Sequence, residues 1–130
     1  MRRSAPDISP LTRLTAMTLE RLNPRDLPTP QMYTHVIVAS GSKLVFVAGQ
    51  VAEDRQGNLV GPEDLVVQSR QAFANLGRAL ASAGARPERV SKLTIFVVDY
   101  RAEHLPAIEQ GQLAPFRDHK PADTLVGVKH

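Results

Sequence analysis

Two β-branched, apolar runs, residues 35–39 and 44–50, flank Ser40-Gly41-Ser42-Lys43. Such a pattern predicts a hairpin with a four-residue loop. Neither run alternates cleanly between apolar and polar, so both faces of the hairpin are expected to be covered. Upstream, residues 18–22 alternate modestly before the turn signal Asn23-Pro24, and residues 24–31 hold three prolines and read as an extended connector. Downstream, Asp54-Arg55-Gln56-Gly57-Asn58 is a turn, and Gly61-Pro62-Glu63-Asp64 opens a helix. Proline suits the first helical turn, and the acids complement the positive end of the helix dipole. Leu65, Ala72, Phe73, Leu76, Leu80 and Ala83 recur at helical spacing on one face, and Gly84 is a natural stop.

Residues 91–98, dense in Val, Ile, Thr and Phe, predict a strand. A second helix is expected over about residues 105–116, with Leu105, Ile108 and Phe116 facing inward, although Gly111 and Pro115 weaken it. A last strand opens at Asp123 and carries Leu125, Val126 and Val128. The order strand, hairpin, helix, strand, helix, strand gives an α/β two-layer sandwich, with two helices on one face of a mixed sheet. The other face is left bare. Apolar residues on a bare face need a cover, and a second copy of the chain supplies one, so a homo-oligomer is expected.

Composition narrows the chemistry. The 130 residues suit one domain, and 42% apolar content suits a packed core. The chain has no cysteine, which excludes disulfides, thiolate nucleophiles and Cys-based zinc sites. No apolar run is long enough to span a bilayer, and a cytoplasmic protein is expected. The net charge of +3 rests partly on Arg2, Arg3 and Arg13, and no basic stripe interleaves with aromatics, so nucleic acid is not expected as a partner. Arg70, Arg78, Arg86 and Arg89 read as a solvated face. His35, His104, His119 and His130 lack metal-ligand spacing, and no metal is expected. Residues 1–16 are rich in Arg, Ser, Thr and Pro without periodicity and read as a disordered N-terminal extension. A transit peptide is the alternative, against which Asp7 and the prolines count.

Several local marks coincide: Tyr33 ahead of the hairpin, Ala48-Gly49-Gln50 at a strand end, and Gly57-Asn58 before Val60-Gly61. With them stand Gln68, Gln71 and Asn75-Leu76 on the first helix, Ala83-Gly84-Ala85 after it, Val90, Lys92 and Thr94, and the late Pro121-Ala122. In this combination the chain resembles the Rid family (YjgF-type, once labelled endoribonuclease L-PSP) from about residue 17 to 128. The resemblance implies a chorismate-mutase-like fold and a homotrimer whose sheets form an inner barrel. It also implies a small-molecule cleft at each subunit boundary, needing no metal or cofactor. Archetypal members hydrolyse enamines and imines to a 2-oxo acid and ammonia.

The resemblance also implies site residues, and this chain departs at several. Where deaminating members carry a carboxylate-binding arginine after Pro-Ala, this chain has Asp123. A guanidinium holds a carboxylate through two charge-assisted hydrogen bonds, each worth about 1.5–3 kcal/mol, whereas an acid repels it. Asp123 has two readings: a strand-border residue facing water, or a ligand contact. Ala48 stands for a serine and Glu109 for an asparagine, while Tyr33 and Gly49 match. The expected cleft therefore comprises Tyr33, Ala48, Gly49, Glu109 and Asp123, and favours a neutral or cationic amine, imine or enamine over an anionic imino acid. The catalytic residues are not identified, and a non-catalytic ligand-binding member is the alternative. The sequence stops at His130 without the family's last strand and its glutamate, so a domain lacking that strand, with a looser trimer, is expected.

Overall fold

The computed structural model describes residues 18–129. The proposed N-terminal extension therefore lies outside the described residues. Four strands and two helices follow one another: β1 (Thr18–Leu22), β2 (Val36–Ser40), α1 (Leu65–Ser82), β3 (Lys92–Val98), α2 (Leu105–Phe116) and β4 (Ala122–Val128). Single 3-10 turns at Pro87–Arg89 and Ala102–His104 precede β3 and α2.

β3 and β4 pair in parallel, with Leu93 opposite Asp123, Ile95 opposite Leu125 and Val97 opposite Gly127. Parallel neighbours need a crossover, and α2 provides it. Strand alternation then sorts β3 into two faces. Leu93, Ile95 and Val97 turn inward, while Phe96 and Val98 are exposed. The core joins Val97 to Phe73 and Leu80 of α1, Ile108 and Phe116 of α2, and Ala52. Phe73 and Phe116 meet edge to face, ring centres 6.0 Å apart, a geometry their ring quadrupoles favour.

α1 begins where Asp64, in extended conformation, accepts a hydrogen bond from the Val67 amide at 3.1 Å. It ends at Gly84, whose φ of +72° turns the chain out of the helix at little steric cost. Pro115 lies inside the last turn of α2, and the helix stops at the next residue, followed by Arg117 at φ +50°. Leu105, expected to face inward, is instead exposed at the first residue of α2.

The expected hairpin is not what the single chain forms. β2 pairs antiparallel with β1, Val38 opposite Glu20, and residues 44–50 adopt no strand. An extended segment becomes a strand only when a neighbour takes its backbone groups. Here the segment stands in solvent, with Phe46 87% exposed. Two two-stranded sheets, one antiparallel and one parallel, therefore stand where one mixed sheet was expected.

The segment that follows is tied to α1 by side-chain amides. Asn75 Nδ2 donates to the Val51 and Glu53 carbonyls, both at 2.9 Å, Gln71 Nε2 to Glu53 at 3.2 Å, and Gln68 Nε2 to Gly61 at 2.8 Å. The amides along α1 that carried the resemblance thus hold a loop in place. Among the described residues, no helix is long and apolar enough to cross a membrane.

Candidate functional site

The site is built on the head of β4 and the helix above it. Three consecutive residues, His119, Lys120 and Pro121, deliver the chain from α2 into β4. Thr34 clasps them: its amide donates to the Pro121 carbonyl at 3.1 Å and its hydroxyl to the Lys120 carbonyl. Pro121 is fully buried, so this junction is firm. It sets Tyr33, the neighbour of Thr34, beside the start of β4. The Tyr33 ring meets His35 edge-on at 5.2 Å.

Asp123 lies in register with inward-facing Leu93, so its side chain turns toward α2 and is half-buried. Of its two readings, a border residue facing water does not describe this environment. Burial raises the Asp123 pKa above its ordinary value of 3.8. A hydrogen bond from Gln112 and the charge of Lys92 oppose that shift, and Glu109 adds to it. Gln112 Nε2 donates to Asp123 Oδ2 at 3.4 Å. Glu109 and Gln112, three apart on α2, share one face of the helix. A carboxyl lifted by burial can donate a proton to a basic nitrogen or, once ionised, accept hydrogen bonds from an ammonium.

Gln112 was missed in the sequence. It is only 3% exposed and stands between Ile108 and Phe116 in a single i, i+4, i+8 column. A polar residue in the middle of an apolar stripe was the available signal. The column packs against α1 at Gly111: a Cβ there would lie 2.7 Å from the carbonyl carbon of Ser69 and 2.8 Å from its Cβ. Glycine lets the two helices approach, and Ser69 Oγ uses the contact to donate to the Ile108 carbonyl at 3.1 Å.

The other two expected residues lie apart. Ala48 and Gly49 sit on the exposed 44–50 segment, where a Cβ on Gly49 would meet nothing within 4 Å. The Ala48 carbonyl accepts only a local bond, from Gln50 Nε2 at 3.2 Å. Within one chain the structure therefore gathers Asp123, Glu109 and Gln112, ties Tyr33 to the head of β4 only through its neighbour Thr34, and leaves Ala48 and Gly49 in solvent.

Among the described residues no three His, Cys, Asp or Glu side chains converge as metal ligands would. His35 and His104 make local ties instead, to the Pro28 carbonyl at 2.8 Å and the Arg101 amide at 3.0 Å.

The model of the family described as endoribonuclease L-PSP matches residues 25–130. A RutC family protein of Synechocystis sp. is 36% identical over 85 residues, and the match spans 64% of this chain and 64% of that relative's length. The crystal structure of a protein of unknown function from the conserved Rid family, YyfB of Yersinia pestis, superposes with a TM-score of 0.80 at 32% identity, covering 86% of both chains. Yeast Mmf1 superposes with a TM-score of 0.59 at 21% identity, over 85% of this chain and 86% of that one, a likeness of fold alone.

Proposed function

Because the chain belongs to the endoribonuclease L-PSP (Rid, YjgF-type) family and has its chorismate-mutase-like fold, we propose that it binds a small amine, imine or enamine metabolite at Asp123 and hydrolyses the imine to a carbonyl compound and ammonia. The observation that carries this reading is the half-buried Asp123 carboxyl, lifted by burial and held by Gln112 beneath α2. Protonated, it gives its proton to the imine nitrogen. Water then adds to the carbon, and the resulting carbinolamine expels ammonia as the carbonyl forms, with the proton returned to Asp123. Ionised, the same carboxylate holds an ammonium. An acid here repels substrate carboxylates, so neutral or cationic ligands are preferred over 2-imino acids.

The same reading makes the chain a homotrimer with the cleft at a subunit boundary. Its support is the exposed apolar set Val36, Val38, Leu44, Phe46, Phe96 and Val98, more than a solitary subunit ordinarily leaves in water. A second reading, ligand binding without catalysis, draws on the exposure of Ala48 and Gly49 away from Asp123.

Two measurements decide. Titration with cationic and anionic amine analogues should show the cation binding tighter, with the order reversed in Asp123→Arg; tighter anion binding by the native chain refutes the assignment. Ammonia release from an uncharged imine, generated in place by an amine oxidase, should run faster with the native chain than with Asp123→Asn. Cation binding with equal rates favours the non-catalytic reading.

A further inference from the structure

Away from Asp123, β1 and the 3-10 turn at Pro87–Arg89 border an open surface recess of about 380 Å³, lined by Thr18, Leu19, Arg21, Arg86, Glu88 and Arg89. Three guanidiniums and a single carboxylate line it. The volume lies within the range of small-molecule sites.

Arg21 is what makes the recess more than a basic surface. Its NH2 group donates to His119 Nδ1 at 2.7 Å, and His119 Nε2 lies 2.7 Å from the Val90 carbonyl oxygen. A carbonyl only accepts, so Nε2 carries the proton and Nδ1 the lone pair, and the imidazole is neutral. Burial lowers the His119 pKa, the Val90 bond opposes this, nearby Arg21 adds to it, and Glu88 opposes it. The ring is 7% exposed and stacked on Phe116, with planes 9° apart. Arginines are commonly fixed by carboxylates, which cancel their charge. Here a neutral imidazole fixes the guanidinium and leaves its charge intact. A charged donor that is held still and not neutralised by its holder suits an oxyanion, because binding then loses little side-chain entropy.

We propose that this recess binds the phosphate group of a small phosphorylated metabolite, with Arg21 as the pre-set donor, Arg86 and Arg89 contacting the remaining oxygens, and His119 as the positioning residue behind Arg21. A phosphate oxyanion accepts from guanidinium donors of this kind, and the remaining volume admits a small organic body.

The test is an NMR titration of the full, 15N-labelled chain with a hexose phosphate, with inorganic phosphate as the second arm and ionic strength fixed by sodium chloride. Saturable shifts are expected at residues 18–21 and 86–90 and on the His119 ring. Arg21→Gln should weaken binding about tenfold or more, the loss of one charge-assisted bond. His119→Phe should weaken it several-fold although it removes no recess-lining group, and His119→Gln, whose carbonyl can still accept from Arg21, should recover part of the loss. If His119→Phe fails to fold, Arg21→Gln and His119→Gln decide. Arg78→Gln, outside the recess, should bind as the native chain does. Non-saturating shifts, an equal loss in Arg78→Gln, unchanged affinity in Arg21→Gln, or binding of inorganic phosphate without the hexose phosphate would overturn the proposal.

Discussion

Gly111→Ala tests how tightly α2 is pressed against α1, and through that the position of the candidate site. On an exposed helix the change would stabilise by about 1 kcal/mol, since alanine is the better helix former. At this position the new Cβ would lie 2.7 Å from the Ser69 carbonyl carbon and 2.8 Å from Ser69 Cβ. Real carbon contacts begin near 3.5 Å. One of the crowded atoms is backbone, so no rotamer of Ser69 relieves the contact and the helices must part. Overpacking of this kind costs about 1–3 kcal/mol. Losing the bond from Ser69 Oγ to the Ile108 carbonyl adds about 0.5–1.5 kcal/mol. Set against the propensity gain, the net loss is roughly 0.5–3.5 kcal/mol, or a fall in Tm of roughly 2–14 °C for a domain of this size. Calorimetry gives the Tm. NMR titration of the Asp123 carboxyl is a second readout, because moving α2 shifts Gln112 and Glu109 relative to it. Ser69→Gly in the same chain should restore only part of the loss, since the carbonyl carbon remains. A Gly111→Ala chain that melts above the native one would refute the reasoning.

Two further outcomes concern pH. The raised Asp123 pKa means that the stability associated with its neutral form is fully present below the ordinary value of 3.8 and is lost as pH rises through the folded value. Asp123→Asn should therefore melt higher than the native chain near neutrality, with the difference closing in acid; thermal melts across pH show this, and a lower Tm at neutral pH contradicts it. His119 has the opposite sign. Its lowered pKa contributes stability above the ordinary histidine value of 6.5 that is lost as pH falls through the folded value. Between about pH 8 and pH 5 the native chain should lose more Tm than His119→Gln, and parallel curves would count against a neutral, pinned imidazole.

Much of the fold was legible because its signals are local. The stripe Phe73, Leu76 and Leu80 and the Gly84 exit each depend on residues within a turn or two, and α1 ends where they place it. Its start at Leu65 comes later than the 61–64 opening read from Pro62 and the acids, because Asp64 is extended and caps the helix from outside. The alternation of Leu93, Ile95 and Val97 likewise marks β3 and its inward face. The candidate site was legible only in part. Asp123, Glu109 and Tyr33 could be singled out, but Gln112 was not, and Gly111 read as a weakness when it is a point of close approach between the helices.

Periodicity along the chain determined by itself where α1, β3, α2 and β4 form, because each turn or pleat is set by near neighbours. Tertiary structure alone decided which strands pair, why 44–50 stands apart from β2, and why His119 is a neutral link and not a surface base. Those outcomes depend on groups distant in sequence, such as Arg21 and His119, whose meeting is a property of packing.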